Sequence, residues 1–410
     1  MLLGDDVVAD RQPEAGAFAR RLGREKRLEQ LVAMFGADAG AVVAHPHLDH
    51  LAAIAPGKLA IVAGDEVSAS NAAAETVFLA EAFGAPVYGS SWPLHIPFPT
   101  SHPLWAGNLP TKAGEIAGIL RTYDAVFALG GKSLITLLYT EGSAVPAGCE
   151  LFHLSADARN LGRTYATRLA VVGDIKSSLA ALLLRLTHRL AGRVEAYAAL
   201  CEAAQREQNA RRARLDAAAD AAFDAPITTP LVAAREMARA IGPDIAIVDE
   251  AVATSLHLRG FLNSNSTRQY SFSRGGALGW GMPAAVGFSL GLDRAPVVSI
   301  VGDGAALYSP QALWTAAHEK LPVTFVVINN REYNVLKNFM KSQAHFASAQ
   351  ANRFIAMDLV DPDIDFLALA ASMGLPACRV DGARYIAPAL AAGIASHTAN
   401  LVEIPVSTDH

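Results

Sequence analysis

From residue 45 onward the chain alternates short apolar runs with longer stretches of helical periodicity. The runs "KLAIVAG", "PVYGS", "DAVFALGG", "CELFHLS" and "RLAVVGD" are each closed by Gly, Ser or Asp. Helical stretches such as "NAAAETVFLAEAFG" lie between most of them, and "IKSSLAALLLRLTHRL" ends the series. Unbroken apolar runs mark strands buried on both faces, and intervening helices impose parallel pairing. The pattern predicts one α/β domain over 45–190.

The same alternation recurs from about residue 226. "ITTPLVAAREMARAIG" opens with Thr before Pro and closes on Gly, the punctuation of a complete helix. The runs "DIAIVDE", "PVVSIVGD", "VTFVVINN", "ACRV" and "NLVEIPV" follow, with helices predicted near Pro283, Pro310, Asp365 and Tyr385. The expected fold class is therefore α/β, with two tandem doubly wound parallel-sheet domains, the second over 226–410. Residues 191–225, containing "AYAALCEAAQREQNARRARLDAAAD", read as a solvated helical linker. Residues 1–44 stay unassigned, although "AFARRLGREKRLEQLVAMFG" has the pattern of one amphipathic helix.

Bulk properties narrow the function classes. A chain of 410 residues is too long for one ordinary core. A composition 52% hydrophobic and 18% charged fits a soluble α/β protein. The net charge of -5 offers no basic surface for nucleic acid. The N-terminus has acids where a signal peptide has basic residues, and no apolar run of about 18 residues occurs, so neither export nor a membrane span is expected and the cytoplasm is. Cys149, Cys201 and Cys378 lack metal or redox spacing and are expected to be buried small hydrophobes in a reducing compartment. "AHPHLDH", with His45, His47 and His50, is expected to be an exposed loop, its spacing fitting no pair of helical metal ligands.

Candidate chemistry sits where two apolar runs end. "VSIVGDG" stops at Gly302-Asp303-Gly304, and "VTFVVINN" stops at Asn329-Asn330, with "SPQALWTAAHEKLP" as the crossover helix between them. Ligands of open parallel sheets gather beyond the carboxyl ends of strands. One βαβ unit thus sets two hard oxygen ligands side by side, Asp303 and Asn330. Gly302 and Gly304 permit a tight turn and close approach, and the N–H groups of Gly304, Ala305 and Ala306 can face an anion. A carboxylate, an amide oxygen and a loop carbonyl make an incomplete set for Mg²⁺, which is commonly completed by substrate phosphates and water. A metal clamped between strand ends and clamping a diphosphate is the expectation. An ordinary turn and a strand terminator are the plainer alternative.

These residues resemble the thiamine diphosphate enzymes of the 2-oxo-acid decarboxylase and acetolactate synthase group, whose hallmark is Gly-Asp-Gly followed some two dozen residues later by Asn-Asn. The pattern is closest to that of the benzoylformate decarboxylases, and the resemblance covers about 45–410. It implies thiamine diphosphate and Mg²⁺ as cofactors and a 2-oxo acid as substrate, with decarboxylation or carboligation as the reaction. Residue by residue, it implies Asp303, Asn330 and the main-chain carbonyl of Glu332 as metal ligands. Tyr333 and Asn334 open the helix that meets the diphosphate. Within "RGGALGWGMPAAVG", Gly276 would accept from the 4'-amino group and Leu278 would force the bent cofactor shape. Glu250 matches an acid near the diphosphate end, with capping of the following helix as its simpler role.

The sequence also departs from that family. Its members begin with a pyrimidine-binding domain of about 150 residues, which carries an activating glutamate. "AVVAHPHLDHL" does not resemble that domain, and Glu14, Glu25 and Glu29 lie in no matching motif. The resemblance therefore implies a homo-oligomer or a partner chain that supplies the domain, and a catalytically incomplete cofactor-binding subunit, or a truncated product needing a separate pyrimidine-domain chain, is the alternative reading. The position of a middle-domain histidine falls near Leu137, and two hydroxyl positions fall on Val252 and Ala253, ahead of Thr254 and Ser255; benzoylformate itself is thus not the expected substrate. Middle domains of the family sometimes hold FAD or a nucleotide. "VAGDEVSAS" and "LGGKSLI" follow strands without forming a full dinucleotide fingerprint, which makes FAD the weaker expectation. A nucleotide-binding oxidoreductase is the third reading, and it too lacks that fingerprint.

Overall fold

The computed structural model describes residues 45–137 and 141–408. The N-terminal segment 1–44, with its expected helix, lies outside the described residues. Two six-stranded, wholly parallel sheets organise the rest. The first is built from β1 (Leu59–Ala63), β2 (Val87–Gly89), β3 (Trp105–Asn108), β4 (Ala125–Leu129), β5 (Glu150–Ser155) and β6 (Leu169–Val172), in the order β3-β2-β1-β4-β5-β6. In β1 and β4 every residue is buried, as their unbroken apolar runs require. Ile61, Ala63, Phe127 and Leu129 face helices α2 (Ala73–Phe83) and α4 (Ile175–Leu190). Ala60, Val62, Val126 and Ala128 face α3 (Ala113–Leu120) on the other side. Helix α1 (His45–Ala53) packs against α4.

That helix corrects the loop expected at "AHPHLDH". Pro46 in its first turn is a helix-start signal that outweighed the polar composition. His50 Nε2–H donates to the Glu150 carboxylate over 2.5 Å, a structural contact. Among the described residues no group of His, Cys, Asp and Glu could hold a metal ion by itself.

The second sheet comprises β7 (Ala246–Glu250), β8 (Tyr270–Phe272), β9 (Val297–Gly302), β10 (Val323–Asn329), β11 (Ala377–Arg379) and β12 (Asn400–Pro405), in the order β11-β12-β10-β9-β7-β8. Val298, Ile300, Val326 and Ile328 pack in one layer with α6 (Pro230–Ile241). Val297, Val301, Phe325 and Val327 pack in the other with α8 (Gly281–Gly291) and α9 (Gln311–His318). The helix starts follow the sequence: the Thr229 hydroxyl caps α6 and the Asp365 carboxylate caps Phe366–Ser372. Cys378 corrects the expectation of burial; β11 is an edge strand, and its side chain is exposed. The described part of the chain has no helix long and apolar enough to cross a membrane.

The connecting helix α5 (Val194–Ala221) is more than the solvated linker expected. Gln208 donates to the carbonyls of Thr100 and His102 at 3.2 and 2.7 Å, and Arg212 donates to that of Thr100 at 2.8 Å. At its far end Asp220 pairs with Arg235, whose buried guanidinium also donates to Glu236 at 2.9 Å. A hydrophobic periodicity cannot reveal such polar docking. Elsewhere the segment Leu94–His95 lies along β8: Phe272 N–H donates to the Leu94 carbonyl at 2.9 Å, and His95 bridges Ser271 in antiparallel fashion. The first module thereby covers the exposed edge of the second sheet.

Candidate active site

The chain direction across the second sheet reverses between β7 and β9, the place where open α/β sheets bind ligands. Three strand ends meet there: Glu250 closes β7, Gly302 precedes Asp303 after β9, and Asn329 and Asn330 close β10.

Asp303 is 4% exposed. Its Oδ1 accepts from Gly304 N–H at 2.7 Å, while Oδ2 accepts from Asn330 N–H at 3.1 Å and Arg331 N–H at 2.6 Å. The acid and the Asn-Asn corner are thus in direct contact. Burial pushes the carboxyl up to about 6, and the backbone donors pull against that shift. Among the described residues no Lys, Arg or His forms an ion pair with it.

The two asparagines divide the work. Asn329 Nδ2 donates to Glu403 at 2.7 Å and ties β10 to β12, where Glu403 also receives Arg379. Asn330 meets Asp303 through its backbone N–H, and its Oδ1 accepts from Glu332 N–H at 3.1 Å. Arg331 takes a left-handed φ of 63°, which swings the chain back over the acid. The loop is clamped from outside: Tyr333 N–H donates to Met357 at 2.8 Å and Leu359 N–H to Arg331 at 2.8 Å. Lys337, nearly buried, joins the carboxylates of Glu332 and Asp358. Asn334 Nδ2 donates to Glu332 at 2.7 Å. Helix α10 (Asn334–Lys341) begins at this knot, with Tyr333 as its N-terminal flank.

Gly304 is needed for a reason other than a ligand. A Cβ there would lie 2.5 Å from the Tyr333 ring. Its N–H is taken by Asp303, and Gly304, Ala305 and Ala306 are buried in a single turn, Asp303–Ala306. Gly302 carries an ordinary φ of -71° with open space around it.

Glu250 does cap a helix, but a different one from the next in sequence. Its carboxylate accepts from Trp280 N–H at 3.1 Å and Gly281 N–H at 2.8 Å, at the start of α8, and burial raises its pKa. The helix after β7, α7 (Ala253–Phe261), has no side-chain cap. Val252 before it has a φ of 48°, a strained conformation for a β-branched residue. Gly276 is exposed with φ 67°, and Leu278 is half-buried against the core around Met282. Leu137, in the first module, donates its N–H to Thr111.

Thus the structure brings Asp303, Asn330, Glu332, Tyr333 and Asn334 together, and Glu250 meets the far end of the 273–280 loop. The sequence reading missed Lys337, Asp358 and Arg274. Nothing local announces Asp358, which lies in a loop of no motif. Arg274 stands next to Gly275 and Gly276, and its charge is the one local signal.

Sequence comparisons give the family, and a solved structure gives the same fold. Residues 55–182 match the thiamine pyrophosphate enzyme central domain and residues 253–404 the thiamine pyrophosphate enzyme C-terminal TPP binding domain. A benzoylformate decarboxylase of Pseudomonas aeruginosa is 28% identical over 349 residues, covering 85% of this chain and 61% of the relative. An acetolactate synthase large subunit of Parasynechococcus marenigrum is 30% identical over 173 residues, covering 41% of this chain and 26% of the relative. The solved thiamine diphosphate-dependent 4-hydroxybenzoylformate decarboxylase of Rhodococcus jostii RHA1 superposes with a TM-score of 0.73 at 24% identity, over 91% of this chain and 66% of that one. The chain spans less than two thirds of the length of these relatives. With both family regions matched in chain order and the same parallel sheets beneath them, the protein belongs to the thiamine pyrophosphate enzyme family.

Proposed function

We propose that the chain binds thiamine diphosphate through Mg²⁺ held by Asp303, Asn330 and the Glu332 carbonyl, and acts on 2-oxo acids by decarboxylation, with carboligation as a second outcome. The observation that carries this reading is a buried carboxylate, Asp303, placed at the sheet's switch point without a cationic partner among the described residues. Burying an unpaired carboxylate is costly, and a divalent cation offsets that cost. The donor set fits: hard oxygens, too few to complete about six ligands, suit an ion that brings phosphate oxygens and water.

When bound, thiamine diphosphate supplies the electron sink that lets carbon dioxide leave a 2-oxo acid. The chain's own residues position it. Asp303 and Asn330 would hold the ion and Glu332 would add its carbonyl, while the Glu332 side chain fixes Lys337 and Asn334. The turn Gly304–Ala306, Tyr333 and Asn334 border the diphosphate. Glu250 fixes the start of α8 and so the end of the loop carrying Gly276 and Leu278. Gly276 would offer its carbonyl to the aminopyrimidine, and Leu278 would be the branched side chain that holds the two rings close together, the kind of proximity that eases proton transfer. The activating glutamate comes from a pyrimidine-binding domain outside residues 45–408, within a homo-oligomer or on a partner chain.

Isothermal calorimetry with thiamine diphosphate and Mg²⁺ tests the binding, with binding lost on chelation and in Asp303→Ala. Equal affinity in that variant would remove the metal assignment. Carbon dioxide release from pyruvate and from aromatic 2-oxo acids then tests turnover. Binding without release from any 2-oxo acid would identify a cofactor-holding subunit instead.

A further inference from the structure

The first sheet has the strand order of a dinucleotide-binding domain, with its switch point between β1 and β4. The crevice there is filled by the chain itself. Glu66, just beyond β1, accepts from Gly131 N–H at 2.7 Å, the Ser155 hydroxyl at 2.9 Å and Ala156 N–H at 2.8 Å. A carboxylate thus takes the donors that a phosphate would use. Its neighbour Asp65 accepts from Leu94 N–H at 2.9 Å and pairs with Arg274 of the second module. Arg274 also donates to the carbonyl of Lys132, in the turn that Glu66 holds, at 3.3 Å. Both partners of the pair are largely withdrawn from solvent, with side chains 19% and 12% exposed.

Arg274 is the second residue of the loop 273–280, which carries Gly276 and Leu278. The loop contains Gly275, Gly276 and Gly279, two of them at positive φ, so its backbone has little intrinsic preference for one shape. At its far end it is fastened by the Ser309 hydroxyl on the Gly279 carbonyl at 2.8 Å and by Glu250 at Trp280 and Gly281. At its near end the Ser273 hydroxyl donates to the Ala277 carbonyl within the loop at 3.5 Å, and the anchor that reaches outside the loop is Arg274, whose partners belong to the other module.

We propose that Arg274 is a positioning residue for the cofactor's aminopyrimidine: the nucleotide-type crevice of the first module serves as a socket for the second module's loop. A guanidinium fork reaches a carboxylate and a carbonyl together, which an ammonium does less well. The proposal rests on the cofactor reading above and adds to it a separate demand. The socket fixes the loop under the ring system and leaves the diphosphate end alone. In that crevice the Glu66 carboxylate occupies donors that an anion of FAD or ADP would need.

The test uses the full chain and two ligands, thiamine diphosphate and inorganic pyrophosphate, each with Mg²⁺, in calorimetry. Arg274→Ala and Asp65→Ala are expected to weaken thiamine diphosphate about tenfold, the scale of one lost charge-assisted contact. Pyrophosphate affinity is expected to stay within a factor of two, which also reports an intact fold. Arg274→Lys is expected to recover part of the loss. Unchanged thiamine diphosphate affinity, or equal loss for both ligands in Arg274→Ala and in the milder Arg274→Lys, would overturn the proposal. Binding of FAD or ADP to the wild-type chain with displacement of the loop would overturn it as well. A wild-type chain that binds neither phosphate ligand would sink the cofactor reading and this proposal with it.

Discussion

The two sheets present acids at equivalent places and settle their charge in opposite ways. Beyond β1, Asp65 meets a guanidinium and Glu66 meets a ring of N–H and hydroxyl donors. Beyond β9, Asp303 meets three N–H groups and, among the described residues, no cation. Backbone donors orient a carboxylate without neutralising it, and the carboxyl pushed up to about 6 records the remaining discomfort. A crevice that supplies its own cation is finished as a structure. One that withholds the cation is where the proposed function places a ligand that brings it.

The sharpest way to break this contrast is to remove each acid and measure different things. Asp303→Ala is expected to cost at least about a hundredfold in Mg²⁺-dependent thiamine diphosphate affinity, since under the proposed function it deletes a direct ligand. Glu66→Ala is expected to leave that affinity nearly unchanged and to lower stability by about 3 kcal/mol in urea unfolding, because three donors lose their partner. If Glu66→Ala abolished binding while leaving stability intact, the comparison would be inverted.

A smaller effect separates packing from liganding near Asp303. Gly304→Ala must move the Tyr333 ring, which sits where the new methyl would go. The expected loss is about 1–3 kcal/mol of stability, the range for overpacking, seen as an earlier urea midpoint. A neutral result would show that the ring has room to shift.

The smallest expected effect lies at the seam between modules. His95 contacts Ser271 Oγ at 3.0 Å and the Tyr270 carbonyl, and burial lowers its pKa. The folded state therefore disfavours the protonated ring. Its contribution is fully present above the unfolded pKa of about 6.5 and is lost as the pH falls below it. Melting curves between pH 7.5 and pH 5 are expected to show a steeper acid decline for the wild-type chain than for His95→Asn. Parallel curves would remove His95 from the account.

Much of the fold was legible because its strands are unbroken apolar runs, which only a sheet covered on both faces accommodates. Strands β3 and β8 were not: "WAGN" and "YSF" are too short and too polar to stand out. Asp303 and Asn330 were legible because strand, helix and strand fix their separation and leave both at the same rim. The reason for Gly304 was legible only in part, since its tenant is the Tyr333 ring. Glu250 was misdirected toward the wrong helix because sequence nearness hides which helix start faces a strand end. Arg274 with Asp65, and Lys337 with Asp358, join distant segments, and no spacing rule encodes a partner chosen by the packing of two modules.

The strip of backbone at Leu94–His95 that lies along β8 has a consequence for ancestry. A gene fragment encoding the second module alone would yield a product with a bare row of amides and carbonyls along one rim, open to any passing chain. Shuffling that kept the two modules together would escape this hazard, so the pair is expected to be inherited as one piece even where their ligands diverge.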